Sequence, residues 1–369
     1  MLGLSLAGPV LAQAVSDDGQ IYTRGQVVEV IQDSPVTDSP LDNAEQILLV
    51  EILKGEDLGQ VVTVTYTFST TNYEHQRLEI GDKVVLTRVI DARGDNYYVL
   101  DHYRLPAVII YLGFFAAAAC VFGRARGAGS LLGLAASLAI LMFFVVPRII
   151  AGDNPLVISF IGAGAIAVVS ILLAHGFKRR TLVALVATLV ALAVAFILAI
   201  LSATLANMSG AGTEEAVYLQ FSYLTNLDLR GLLLGGIIIG TLGVLDDVTT
   251  TQVATVEEIG FANPTLGVGE LYRRGISVGR EHIAALVNTL ILAYAGASFP
   301  LFLLFVLPDH PPLWIVLNNE HIVEEILRAL VGGSALMLAV PISTALAAAV
   351  FGSLTKPAQA RAKHGAHQH

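Results

Sequence analysis

Residues 182–205 read LVALVATLVALAVAFILAILSATL, 24 consecutive positions without a charged side chain. A helix needs about 20 apolar residues to cross the hydrocarbon of a bilayer, so this stretch alone argues for a transmembrane span. Comparable runs fall at about 105–122, 131–150, 156–174, 232–245 continuing toward 256, 283–307 and 326–354. With the first, they make about seven transmembrane helices. The bulk composition agrees, since 55% of the 369 residues are hydrophobic and only 14% are charged, against about 25% charge in a soluble domain. Mean hydropathy is +0.70. A soluble protein is excluded, and the expected architecture is an all-α polytopic membrane domain over 105–355. The net charge of −9 gives no reason to expect nucleic acid as a partner. The single Cys120 excludes a disulfide framework or a cysteine metal cluster.

The chain before this domain has a different texture. Residues 1–18, MLGLSLAGPVLAQAVSDD, place Ala12 and Ala14 as at a signal-peptide cleavage site but lack a basic start, so they read as signal-like or as the end of an anchor helix. From 20 to 104 come short β-branched runs, QVVEVIQ, ILLVEIL, VVTVTYTF, KVVLTRVI and NYYVLDHY, separated by turn signals such as Lys54-Gly55 and Gly81-Asp82. Five strands predict a small β-barrel-like, OB-like domain.

Loop charge sets the expected orientation. Alternate loops carry Arg124 and Arg126, then Lys178, Arg179 and Arg180, then Arg273, Arg274 and Arg280, then Lys356, Arg361 and Lys363, whereas the opposite loops hold Arg148 and Arg230. By the positive-inside rule the first set is cytoplasmic. That places the protein in the plasma (inner) membrane with its β domain outside and the 356–369 tail in the cytoplasm.

Ionisable side chains in hydrocarbon cost about 2.5–3.5 kcal/mol on insertion scales, so polar interruptions of apolar helices are the informative positions. One stretch dominates: residues 235–258, GGIIIGTLGVLDDVTTTQVATVEE. Read as a helix, it puts 236, 240, 243, 247, 250, 254 and 258 on one stripe. Gly236, Gly240 and Gly243 are expected to admit a neighbouring helix closely. The stripe would carry Asp247, Thr250 and Glu258 into that contact, with Asp246 rotated away. A carboxylate there needs a cation, a base or a proton, and carboxylate with hydroxyl oxygens suits hard cations. The competing reading is structural, with the aspartates capping a helix that restarts at Val248.

The segment FANPTLGVGELYRRGISVGREH reads as a loop whose Arg273, Arg274 and Arg280 can pair with Asp246 or Asp247 or hold an anion, or serve only as positive-inside charge. Glu281-His282 then opens a helix that carries Asn288 about two turns into the span, where its amide needs partners. Glu324 and Arg328 are expected to form a surface pair.

The strings GTLGVLDDVTTTQVATVEEI, NPTLGVGELYRRGISVGREHI and VNTLILAYAGASFPLFLLF resemble the YibE/F family of bacterial membrane proteins, as does the order of an outer domain followed by seven helices. The resemblance implies an integral membrane protein, regarded as transporter-like or of unknown function, with no settled substrate. On that resemblance Asp246, Asp247, Thr249, Thr251 and Gln252 match the family's pattern, as do Asn288, Thr289 and Tyr294. The candidate ion- or substrate-binding set is therefore Asp246, Asp247, Thr250, Thr251, Gln252, Asn288 and Thr289, with Arg273, Arg274, Arg280, Glu258 and Glu281 as charge partners.

Enzyme chemistry finds little support. Asp246-Asp247-Val248-Thr249-Thr250 begins like a DDxxD metal-diphosphate motif, but Thr250 replaces the third acid, which leaves a metal-dependent membrane transferase as a weak alternative. No P-loop is present. The expectation is a permease for a small ion or an ion-coupled solute, without a cofactor beyond a bound cation of unassigned identity. The alternative is a non-transporting envelope adaptor or signalling protein whose β domain binds a partner. Expected partners are the lipid bilayer, a small ion or solute, and an envelope protein or a second copy in a homo-oligomer.

Overall fold

The computed structural model describes residues 21–33, 43–69, 73–91, 94–303 and 311–354. The signal-like 1–18 segment and the 356–369 tail lie outside the described residues. The chain divides into two compact units, residues 1–115 and 116–369.

In the first unit five strands form a closed barrel in the order β1-β2-β3-β5-β4. They are β1 (Ile21–Asp33), β2 (Asn43–Ile52), β3 (Val61–Ser69), β4 (Lys83–Asp91) and β5 (Gly94–His102), with a one-turn helix α1 (Tyr73–Gln76) between β3 and β4. Alternation explains the strands. In β3, Val64, Tyr66 and Phe68 are buried while Thr63, Thr65 and Thr67 are exposed. The inward set joins Leu48, Val50, Ile52, Val84 and Leu86 in one core. Gly25 of β1 is required by close approach, because a Cβ there would overlap Val50 Cγ1 and come within 2.9 Å of Leu86 Cδ1. The buried Gln46 side chain stays satisfied: Leu78 N donates to its Oε1 at 2.9 Å, and its Nε2 donates to Leu78 O at 3.2 Å. Burial, with a hydrogen bond to Asp57, pushes the Tyr97 hydroxyl up to about 12.

Among the described residues, six helices are long and apolar enough to cross a membrane: Leu105–Ile150, Pro155–His175, Arg179–Leu205, Leu229–Ala262, Val268–Ala297 and Glu320–Gly352. The first, 46 residues long, covers both of the runs expected at 105–122 and 131–150. It comprises α2 (Leu105–Ile140), a π-helical turn (Leu141–Val145) and α3 (Val146–Ile150). The segment GRARGAGS carries no proline to stop a helix, so helical structure runs through it, broken only at Arg124 (φ 51, ψ −134). There the chain bends back sharply. A Cβ on Gly127 would overlap the Ala119 carbonyl oxygen, although residues eight apart on a straight helix are about 12 Å apart.

The remaining long helices are α4 (Pro155–His175), α5 (Arg179–Leu205), α7 (Leu229–Ala262), α8 (Val268–Ala297) and α11 (Glu320–Leu354), with short α6 (Glu214–Ser222), α9 (Phe299–Leu303) and α10 (Leu313–Leu317). Local signals place their starts. Asn154 accepts from Val157 N at 3.1 Å ahead of Pro155, and Asp228 accepts from Gly231 N at 2.9 Å to cap α7. Helix α8 starts earlier than expected, so most of the arginine-rich segment read as a loop is helical. The small-residue seam of the bundle runs along α5, where Ala184, Ala187, Ala191, Ala195, Ala199 and Ala203 are all buried. In α11, Glu324 is not on the surface beside Arg328. It is 2% exposed and accepts from Gly212 N at 3.1 Å, while Arg328 pairs with Glu325 at 3.6 Å.

Candidate functional site

Helix α7 is continuous from Leu229 to Ala262. Its N-cap is Asp228, so Asp246 and Asp247 lie in mid-helix and cap nothing. The face it buries carries Ile238, Thr241, Leu245, Thr249, Gln252 and Val256, because these larger side chains remove more apolar area from solvent than the glycine stripe can. The predicted stripe therefore points outward. Gly236, Gly240, Gly243, Asp247 and Glu258 are exposed. A Cβ on Gly236 or Gly243 would meet nothing within 4 Å, and one on Gly240 would meet only the Tyr294 hydroxyl, at 3.6 Å. The glycine of α7 that does give close approach to another helix is Gly235, where a Cβ would overlap the Ser159 hydroxyl of α4.

The order of the two aspartates is reversed by the same rotation. Asp246 is half-buried, and its Oδ1 is buried without a hydrogen-bond partner among the described residues. One turn on, Thr250 Oγ1 donates to the Asp246 carbonyl at 2.8 Å.

Beside Asp246 the bundle holds a polar layer. Thr188 of α5 and Thr249 share a hydrogen bond of 2.6 Å. Each also has a carbonyl of its own helix in reach, Ala184 O at 3.0 Å and Leu245 O at 2.9 Å, so the hydroxyl that does not donate across the pair donates there. Gln252 Nε2 donates to Gly275 O of α8 at 2.9 Å and to Thr344 Oγ1 of α11 at 2.8 Å. Gly279 leaves room for that amide, since a Cβ there would lie 3.0 Å from Gln252 Nε2. Thr250 and Thr251 face another way, into a cleft of 220 Å³ shared with Arg126, His175, Arg180 and Thr181.

The expected charge partners are not brought to the aspartates. Arg273 and Arg274 pair with Glu270 one turn away on α8, both at 2.9 Å. That bond is available because the segment is helical. Arg280 and Glu281 are exposed. Asn288 and Thr289 are exposed too, so the buried partner expected for the Asn288 amide is not found among the described residues, and Thr289 donates to its own helix at Ala285 O, 3.0 Å away. Arg180 of α5 does reach α7, 3.6 Å from Glu257. In the sequence Arg126 and Arg180 stand out only as loop charge, and His175, Thr181 and Glu257 belong to no motif. Position 181, directly after three consecutive bases, was the available signal.

Compared with known families, residues 111–353 match the family described as YibE/F-like protein. No curated protein and no solved structure matches the chain.

Proposed function

The chain belongs to the YibE/F-like family, and from that premise we propose that it moves a small ion, or a solute coupled to one, across the plasma membrane. One observation carries this reading: Asp246 Oδ1 is buried without a partner in the middle of a spanning helix. A carboxylate oxygen so placed takes a proton or a hard cation, because leaving it bare costs more than the fold gains. Thr250 lies one turn from Asp246, and Asp247 is its exposed neighbour in the chain.

Two structural readings accompany the proposal. The bend at Arg124 divides the 46-residue helix into two crossings, seven in all. The barrel is OB-like on its strand order and the place of its helix. Together with the loop charges, seven crossings put the barrel outside and Lys178 and Gly269 inside. In intact cells an impermeant thiol reagent should label a cysteine at Gly55 and leave one at Gly269 unlabelled; labelling at Gly269 overturns this orientation.

Purified protein in liposomes carrying an imposed proton or sodium gradient should dissipate it, and Asp246→Asn, similar in size but uncharged, should abolish the flux. An Asp246→Asn protein that inserts and conducts normally refutes the reading. The barrel's exposed Leu58 and Ile80 favour a second reading, an envelope adaptor, which absence of flux for every tested ion would support.

A further inference from the structure

We propose that the cleft between Arg126, His175, Arg180 and Thr181 binds a phosphate-type oxyanion. Thr181 is the decisive residue. Its side chain is 1% exposed, and its hydroxyl has no hydrogen-bond partner among the described residues, yet it lines a cleft of 220 Å³. A buried hydroxyl without a partner is costly to keep. At the second residue after Arg179, in the first turn of α5, it lies where backbone N–H groups have no partner inside the helix. The N-cap is Lys178, whose side chain makes no cap bond, so the positive end of the helix is left for a ligand.

The side chains around it are matched to an anion. Arg126, Arg180 and His175 line the cleft together with Thr181, Thr250 and Thr251, of which Thr250 already donates its hydroxyl to the Asp246 carbonyl. Among the described residues, no carboxylate lines the cleft. Two acids stand near it: Glu257, 3.6 Å from Arg180, and Asp247, within electrostatic range of His175. Glu257 balances one arginine, while Arg126 has no ion pair among the described residues. Two guanidiniums, a buried hydroxyl and a helix N-terminus suit a tetrahedral oxyanion with several acceptor oxygens. That chemistry is shared by free inorganic phosphate and by the phosphodiester of a lipid headgroup.

Binding is read at equilibrium, so it stands or falls apart from transport. Detergent-purified full-length protein is titrated separately with inorganic phosphate and with a short-chain phosphatidylglycerol, following thermal unfolding, and sulfate is added as competitor. The expected result is a saturable upward shift with at least one probe, with the phosphate concentration at half-shift raised when sulfate is already present, and with affinity weakened tenfold or more in Arg126→Gln and in Thr181→Val. A shift with phosphate identifies the free anion, and one with the lipid alone identifies the headgroup. Arg126 is exposed, so its variant remains informative if Thr181→Val does not fold. Absence of a saturable shift with either probe, or a shift of equal affinity in Arg126→Gln, overturns the proposal.

Discussion

The hydroxyls of Thr188 and Thr249 lie 2.6 Å apart where α5 and α7 pack together, both fully buried. Each hydroxyl also lies within reach of a carbonyl of its own helix, so one donates across the crossing while the other donates to its own helix, and the pair ties two spans together with no unsatisfied donor. Hydrogen bonds between membrane helices contribute about 0.6 kcal/mol on average and up to about 1.7. A double-mutant cycle of Thr188→Val and Thr249→Val in a reversible unfolding assay should give a coupling in that range. Zero coupling would mean that the crossing is held by packing alone.

Gly279 and Gly243 test which faces of α7 and α8 are packed. A Cβ at Gly279 would lie 2.5 Å from Val340 Cγ1 and 3.0 Å from Gln252 Nε2, whereas one at Gly243 meets nothing within 4 Å. Overpacking of this kind costs about 1–3 kcal/mol. Gly279→Ala should lower thermal stability clearly, and Gly243→Ala should leave it unchanged or slightly raised. Equal effects would restore the glycine stripe as a packing face.

The aspartates separate in the same way. Asp246 has the buried, unpartnered oxygen and Asp247 is exposed, so in a liposome flux assay Asp246→Asn should be far more damaging than Asp247→Asn. The reverse order would return the site to the outward stripe.

Tyr97 makes the β domain sensitive to alkali. Its hydroxyl is held neutral up to about 12 by burial and by the hydrogen bond to Asp57, against about 10 in an unfolded chain. The folded value is the raised one. Its contribution to stability is therefore complete below pH about 10 and is lost as pH rises toward 12. In the full-length protein, Tyr97→Phe should flatten the fall in barrel stability across that window, followed by circular dichroism; an unchanged slope would show that Tyr97 titrates as in the unfolded chain.

The glycine–aspartate string of α7 was legible as a helix and as a stripe, because spacing of three and four residues is a property of the local chain. Which side of that helix faces the bundle was not legible. Glycines that admit a neighbour and glycines left facing open space have the same periodicity, and the choice was made by the alanine seam of α5 and by Gly275 and Gly279 of α8, which receive the larger side chains of α7. Likewise the arginines at 273 and 274 were legible as a basic segment, but their pairing with Glu270 required knowing that the segment is helical. Hydropathy and alternation are summed along the chain, so the sequence by itself determined that long apolar helices follow a small β-rich domain. Contacts between residues distant in the chain decided the rest: the bend that brings Gly127 onto Ala119, the burial of Asp246 rather than Asp247, and the meeting of Arg126, Arg180 and Thr181 in one cleft. Those depend on which faces exclude one another's solvent, and that is settled only when the helices pack.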